Sequence, residues 1–109
     1  MDRQLKLLVD IQISIQNIEK YLGDKRLFSE FETNDLLRDA IERNLITIGE
    51  ATNNLLKINP EIQISDARKV VNARNRLTHG YDEIDSVQIW NILIKNLPIL
   101  KKEVLLLIN

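Results

Sequence analysis

The sequence of 109 residues predicts an all-α fold, an up-and-down bundle of four to five antiparallel helices in one domain over residues 1–109. Apolar residues recur every three or four positions along several stretches, the spacing that places side chains on one face of a helix. Aromatic residues make up only 5% of the chain, against 44% for all apolar residues, so leucine and isoleucine dominate. This composition favours helices packed on helices over a β-sandwich. No repeat or linker rich in proline and glycine interrupts the chain, and short connections favour antiparallel neighbours.

The first half of the chain predicts two long helices. Residues 5–22 carry the helical spacing of apolar side chains, and the glycine that follows suits the left-handed conformation that ends a helix. A charged connection is expected over residues 23–32, with its two phenylalanines held against the core. Thr33 or Asn34 can cap the second helix, which should end before the Asn-Pro pair because the residue that precedes a proline avoids helical geometry.

The second half predicts two further helices and a very apolar tail. Ser65 or Asp66 can cap a third helix that ends near Gly80, and Asp85 or Ser86 can cap a fourth. A proline at position 98 should kink that helix or begin a fifth.

The tail over residues 97–108 is apolar on more than one face, which is more than a surface helix needs for contact with a single core. Two interpretations follow. The tail is either an interface between two subunits or the central helix of the bundle, and both are compatible with the pattern.

Composition excludes several kinds of site. The chain has no cysteine and one histidine, so disulfides, thiolate metal sites and histidine-rich metal sites are excluded, and we expect neither a metal nor a cofactor. The net charge is −1 and the pI about 5.8, so any recognition of phosphate must be local. The first residues do not resemble a secretion signal and no segment is long enough to span a membrane, so we expect a cytoplasmic protein without a membrane partner.

The third predicted helix carries the residues best suited to chemistry. Because successive residues turn by about 100°, Asn75 and His79 share one face, and Arg74 and Thr78 form the adjoining row. Metal-free RNA cleavage removes a proton from the 2′-hydroxyl, supplies one to the 5′-oxygen and stabilises the charge that develops on the phosphate. His79 can move the protons, and Arg74 can hold the phosphate oxygens.

A single histidine cannot conveniently serve both sides of an in-line displacement. A symmetric homodimer that brings together two copies of the third helix would supply the second one. The residues therefore predict an active site shared by two protomers.

Structural roles are the alternative for the same residues. His79 can interact with the last carbonyl groups of the helix, and Tyr81 can be a half-buried aromatic residue after the turn. The basic side chains Arg68, Lys69 and Arg76 can solvate an exposed face near the negative end of the helix dipole.

The motif over residues 74–81, Arg-Asn-Arg-Leu-Thr-His-Gly-Tyr, resembles the signature of HEPN-domain toxins, and especially that of their HepT-like branch. Residues 40–51 of the second helix and residues 87–90 also look like that branch. The resemblance therefore covers most of the chain.

The resemblance implies an all-helical homodimer that acts as a metal-independent endoribonuclease. In such a dimer Arg74 and His79 of both protomers line a shared cleft, and Asn75 supports it. The resemblance also implies a cognate nucleotidyltransferase antitoxin that transfers AMP groups to Tyr81. An attached AMP would place negative charge and bulk beside Arg74, so a substrate phosphate would be repelled.

Two other functions are compatible with the sequence. The first is a non-catalytic helper subunit that binds a nucleotidyltransferase or holds a nucleotide in the same cleft, which needs the contact of Arg74 with phosphate but no proton transfer. The second is a purely structural dimerisation domain, in which Arg74 and His79 would be exposed and far apart.

Overall fold

All regular structure in the computed structural model is helical, and the structure describes residues 2–79 and 85–109. The helices are α1 (Arg3–Leu22), α2 (Phe28–Thr33), α3 (Asp35–Ile58), α4 (Ala67–His79), α5 (Ser86–Asn91) and α6 (Leu97–Ile108), and a π-helical segment (Ile92–Asn96) joins α5 to α6. Helix α1 packs on α3 and α6, and α3 packs on α4. No strand occurs in either described range, and the predicted all-α fold is confirmed.

The starts of α1, α3 and α5 are fixed by side-chain caps. Oδ1 of Asp2, Asn34 and Asp85 accepts a hydrogen bond from the backbone amide three residues ahead, at 2.8, 3.1 and 2.9 Å respectively. Helix α1 ends at Gly23, whose positive φ of +68° is the kind that favours glycine, as the sequence predicted at this position. Of the capping residues offered by the sequence, the structure therefore uses Asn34 and Asp85.

The connection expected over residues 23–32 contains the short helix α2. Phe31 is fully buried, and the rings of Phe31 and Phe28 lie 5.6 and 5.7 Å from the ring of Trp90. A helical turn places these two phenylalanines, three residues apart, on the same side toward Trp90. Helix α2 is held by a contact with a residue far along the chain. The local sequence does not contain that contact, and it therefore predicted only a connection here.

The residues expected to cap α4 bond to the C-terminal part of the chain. The amide of Ser65 donates to Oε2 of Glu103 at 2.9 Å, and Nδ2 of the buried Asn96 donates to Oδ2 of Asp66 at 2.8 Å. These bonds tie the start of α4 to the π-helical segment and to α6.

Pro98 lies in the first turn of α6, which follows the π-helical segment without a gap. Proline has no amide hydrogen, so it cannot donate to the carbonyl of the preceding turn. The amide of Leu97 bonds to the carbonyl oxygen of Ile92, five residues back, which widens the helix just before the proline. Helix α6 thus begins at Leu97 with Pro98 in its first turn, which agrees with the expectation that this proline begins a new helix.

The core is built mainly of leucine and isoleucine from α1, α3 and the C-terminal helix. Its largest fully buried side chains are Phe31, Leu8, Ile11, Ile15, Ile18, Ile41, Ile48, Leu55, Ile89, Leu93 and Val104. Helix α6 belongs to this core, yet Leu106 on its outer side is 77% exposed and Ile99 is 46% exposed. The tail therefore packs one face on the core and is not buried on all sides as a central helix would be, and its role as a subunit interface stays a prediction. In the described parts of the chain, no helix combines the length and apolar character needed to cross a bilayer.

Candidate active site

Arg74 lies at a close contact between α4 and α3. A Cβ atom placed on Gly49 of α3 would overlap Cβ of Arg74 and would lie 2.9 Å from its Cγ and 3.2 Å from the carbonyl oxygen of Val70. Only glycine leaves room for this approach, because a side chain of any size at position 49 would push α4 away. The aliphatic stem of Arg74 is therefore held against the backbone of α3.

The guanidinium of Arg74 has one hydrogen-bonded nitrogen, Nη1, and one buried nitrogen, Nε, that forms no bond with the described residues. Its Nη1 donates to Oδ1 of Asn75 at 2.9 Å. Its Nε is buried and forms no hydrogen bond with any group in the described ranges. An unpaired buried donor costs about 1–3 kcal/mol, so such a group calls for an explanation, and a functional role is one. The phosphate or carboxylate oxygen of a ligand would satisfy it.

His79 is the last residue of α4 and is exposed. It lies four residues after Asn75 and so occupies the same edge of the helix, about one turn further along. Arg74 and His79 are five residues apart, which turns their side chains by roughly 140° around the helix axis. The bond from Arg74 to Asn75 brings the guanidinium toward the edge that carries His79.

The side of α4 that faces α3 also borders an open depression of about 460 Å³ lined by Asp39, Glu42, Arg43, Ile46 and Leu77. Burial raises the pKa of the Glu42 carboxyl above its ordinary value, the neighbouring Asp39 raises it further, and Arg38 partly offsets both. The carboxylates that line this depression repel phosphate where they are ionised. This depression is therefore an unfavourable place for a nucleic-acid backbone.

Comparison with known proteins identifies the family. Residues 11–107 match the family described as "Ribonuclease HepT-like". The chain belongs to the HepT-like ribonuclease family. Two relatives from Methanocaldococcus jannaschii agree with this assignment. "Putative RNase MJ1380" is 33% identical over 101 residues, which are 89% of each chain. "Gamma-glutamylcyclotransferase and putative RNase MJ0434" is 31% identical over 107 residues, which are 96% of this chain and 48% of that protein. No solved structure matches the chain significantly.

In this HepT-like ribonuclease, the structure places three of the four predicted site residues. Arg74 and Asn75 are in direct contact, and His79 lies on the same edge of α4 as Asn75, whereas Tyr81 lies outside the described residues. A purely structural domain predicts that both Arg74 and His79 are exposed: His79 is exposed, as that alternative expects, whereas Arg74 is half-buried against α3. No group of three or more potential metal ligands comes together in residues 2–79 and 85–109.

The contribution of Gly49 was not foreseen from the sequence. A glycine in the middle of a long helical pattern is a signal of close packing or function, because it costs helix stability. Its partner, however, lies 25 residues further along the chain, and only the packing of α3 on α4 identifies Arg74 as that partner.

Proposed function

We propose that this HepT-like protein is a metal-independent endoribonuclease, the toxin subunit of a toxin–antitoxin pair. The observation that carries the proposal is the Arg74 guanidinium, clamped by the contact with Gly49 and bonded to Asn75, with a buried Nε that lacks an acceptor. Membership in a ribonuclease family supports phosphodiester chemistry at this site.

In the proposed reaction a neutral His79 removes the proton of the 2′-hydroxyl of RNA. The 2′-oxygen bonds to phosphorus, the bond from phosphorus to the 5′-oxygen breaks, and the 5′-oxygen receives a proton. The products are a 2′,3′-cyclic phosphate and a free 5′-hydroxyl. Arg74 binds the non-bridging oxygens, whose negative charge increases in the transition state, and Asn75 holds the guanidinium in place.

The acid and the base come from two protomers in this proposal. The only histidine of the chain would act on one side of the phosphorus, and His79 of a second copy would protonate the leaving oxygen on the other. The exposed position of His79 at the end of α4 supports this arrangement, because a symmetric contact between two copies can bring it close to its counterpart.

We further propose that a cognate nucleotidyltransferase silences the enzyme by transfer of AMP to Tyr81. Tyr81 follows His79 by two residues, so an attached AMP would add charge and bulk beside the phosphate site. The mass of the intact protein, expressed with and without the neighbouring nucleotidyltransferase, tests this step. An increase by one or more AMP groups that disappears in Tyr81→Phe is expected.

The central experiment measures RNA cleavage in EDTA by the wild type, Arg74→Ala and His79→Ala. Arg68→Ala is the matched control, because Arg68 is an exposed arginine on the same helix. Wild type and control should cleave, and each of the other two variants should lose at least about a hundredfold, the usual contribution of general acid–base or oxyanion groups. Equal residual cleavage in all four proteins would overturn the assignment.

The free Nε donor of Arg74 also favours a second candidate, a helper subunit that holds a nucleotide without cleaving it. A phosphate contact suffices for this role and no proton is transferred. Calorimetric binding of AMP and ATP would then be lost in Arg74→Ala and retained in His79→Ala, and the wild type would not cleave RNA.

A further inference from the structure

A second groove lies on the opposite side of α4 from Arg74. It has a volume of about 350 Å³ and runs between α4 and the helix formed by α5 and the π-helical segment. Two residues along a helix correspond to a rotation of about 200°, so Arg76 points into this groove while Arg74 faces α3. The groove is therefore separate from the depression that Asp39 and Glu42 line.

The lining of this groove is basic and rich in amides. Helix α4 contributes Lys69, Asn72 and Arg76, and the facing helix contributes Gln88, Asn91 and Lys95. In both helices these residues are three and four positions apart, so each set forms one stripe along the groove. Nη1 of Arg76 donates to Oε1 of Gln88 at 3.0 Å, a hydrogen bond that joins the two stripes.

The local charge contrasts with that of the whole molecule. The chain has a net charge of −1, yet no carboxylate lines this groove in the part of the chain that the structure describes. Lys69 and Lys95 are exposed and form no ion pair with the described residues. The two exposed lysines on one concave surface concentrate positive potential there, and a polyanion is the ligand that such a surface attracts.

Residues of α4 that line the groove share one edge of the helix with His79. Asn72 and Arg76 line the groove, and Asn75 and His79 follow at the spacing that keeps side chains on one edge of a helix. A chain of phosphates that leaves the groove along this edge passes Asn75, which contacts the Arg74 guanidinium.

We propose that this groove binds the phosphodiester backbone of single-stranded RNA on its way to the cleavage site, an inference that rests on the proposed ribonuclease function. Lys69 and Lys95 contact phosphates, and the amides of Asn72, Gln88 and Asn91 bond to sugar hydroxyls and base edges. No aromatic side chain lines the groove among the described residues, so binding depends on the backbone and little on stacking. The volume, near the lower end of ligand sites, suits one or two nucleotides of a flexible strand.

The test measures how strongly the binding of RNA depends on salt. A fluorescent single-stranded 2′-O-methyl oligonucleotide serves as the probe, because without a free 2′-hydroxyl it cannot be cleaved by the proposed reaction. Its affinity is measured by anisotropy from about 50 to 200 mM salt for the wild type and for Lys69→Gln/Lys95→Gln. Lys20→Gln/Lys57→Gln is the matched control, because it removes the same charge from exposed positions on α1 and α3.

Each contact with a phosphate of a single strand contributes about 0.7 to the slope of log affinity against log salt. The two substitutions should therefore reduce the magnitude of that slope by about 1.4. With the affinities of the two proteins taken as equal at 1 M salt, the groove variant should bind the probe about 25-fold more weakly than the wild type at 0.1 M salt. The control and Lys69→Arg/Lys95→Arg should bind like the wild type. A groove variant with the slope and affinity of the control would overturn the proposal.

The two proposals can fail separately. If the wild type binds the probe through the groove but never cleaves unmodified RNA, the ribonuclease function fails and the groove assignment stands. If cleavage depends on Arg74 and His79 but the groove variant binds and cleaves like its control, the ribonuclease function stands and the groove assignment fails.

Discussion

The position of Arg74 depends on a residue that has no side chain. Gly49 allows α4 to approach α3 until the stem of Arg74 lies on the backbone of α3, and Asn75 then fixes the guanidinium. Arginine is rarely useful in a site unless its flexible stem is immobilised, because ordering a long side chain costs conformational entropy. The packing at Gly49 orders the Arg74 stem when the protein folds, so the conformational entropy of the stem is lost before any substrate binds.

Replacement of Gly49 by alanine is expected to destabilise the protein and to reduce RNA cleavage. The added methyl group would overlap Cβ of Arg74, and overpacking of this kind costs about 1–3 kcal/mol. Alanine instead gains about 1 kcal/mol at an unhindered helical position, so the sign of the effect is informative. Urea unfolding measures the loss, with Glu50→Ala at the exposed neighbouring position as the control. A Gly49→Ala variant more stable than the wild type would contradict the close contact.

At the scale of the elements, α4 is held from two sides. The stretch around Gly49 fixes its middle, and the C-terminal helix fixes its start through the bonds from Ser65 to Glu103 and from Asn96 to Asp66. Asn96 belongs to the π-helical segment, whose widened backbone lies next to Pro98. The groove between α4 and α5 therefore has walls whose spacing is set by long-range hydrogen bonds.

Removal of the Asn96 amide should destabilise this attachment. Asn96→Ala leaves the Asp66 carboxylate without its donor, and the free energy of unfolding should fall by about 1.5–3 kcal/mol, the usual contribution of a hydrogen bond to a charged group. Asn91→Ala, at an exposed position of the same helix, should have little effect. Urea titrations followed by circular dichroism measure both variants.

The variant Asn96→Asp adds a dependence on pH. Two carboxyl groups would then face each other, and their repulsion raises the pKa of the pair in the folded state above that in the unfolded state. The contribution of this pair to the free energy of unfolding is therefore greatest at low pH, where the pair holds its proton, and it falls as the pH rises through the raised pKa. The deficit relative to wild type should be larger at pH 7 than at pH 4. An equal deficit at both values would show that the two side chains do not interact.

At the scale of the whole molecule, the proposed chemistry needs a second copy of the chain. The exposed apolar side chains of α6, with Leu106 77% exposed and Ile99 46% exposed, are one surface on which two copies could pair. The proposed two-protomer site requires that a pairing through α6 also brings the two copies of His79 together, so locating the dimer interface by experiment tests the proposal.

We expect the wild type to sediment as a dimer at micromolar concentration and Leu106→Glu to sediment as a monomer. A charge in an apolar interface is costly to bury, whereas at an exposed position of a monomer it changes stability by less than about 0.5 kcal/mol. Leu36→Glu, which replaces a leucine that is 84% exposed at the start of α3, is the matched control and should remain a dimer. A dimeric Leu106→Glu protein would place the interface elsewhere, and a monomeric wild type would remove the basis for a two-protomer site.

The sequence alone predicted the long helices and the clustering of Arg74, Asn75 and His79 in one helix, because both depend on neighbours within a few positions. Apolar spacing located α1, α3 and α4, the Asn34 and Asp85 caps needed only the amide three residues ahead, and Arg74, Asn75 and His79 stand close together in one helix. Tertiary structure decided that Gly49 meets Arg74, that the phenylalanines of α2 meet Trp90, and that Lys69 and Lys95 share a groove. Each of these contacts joins residues more than 20 positions apart, and their approach depends on how whole helices pack, which no local periodicity contains.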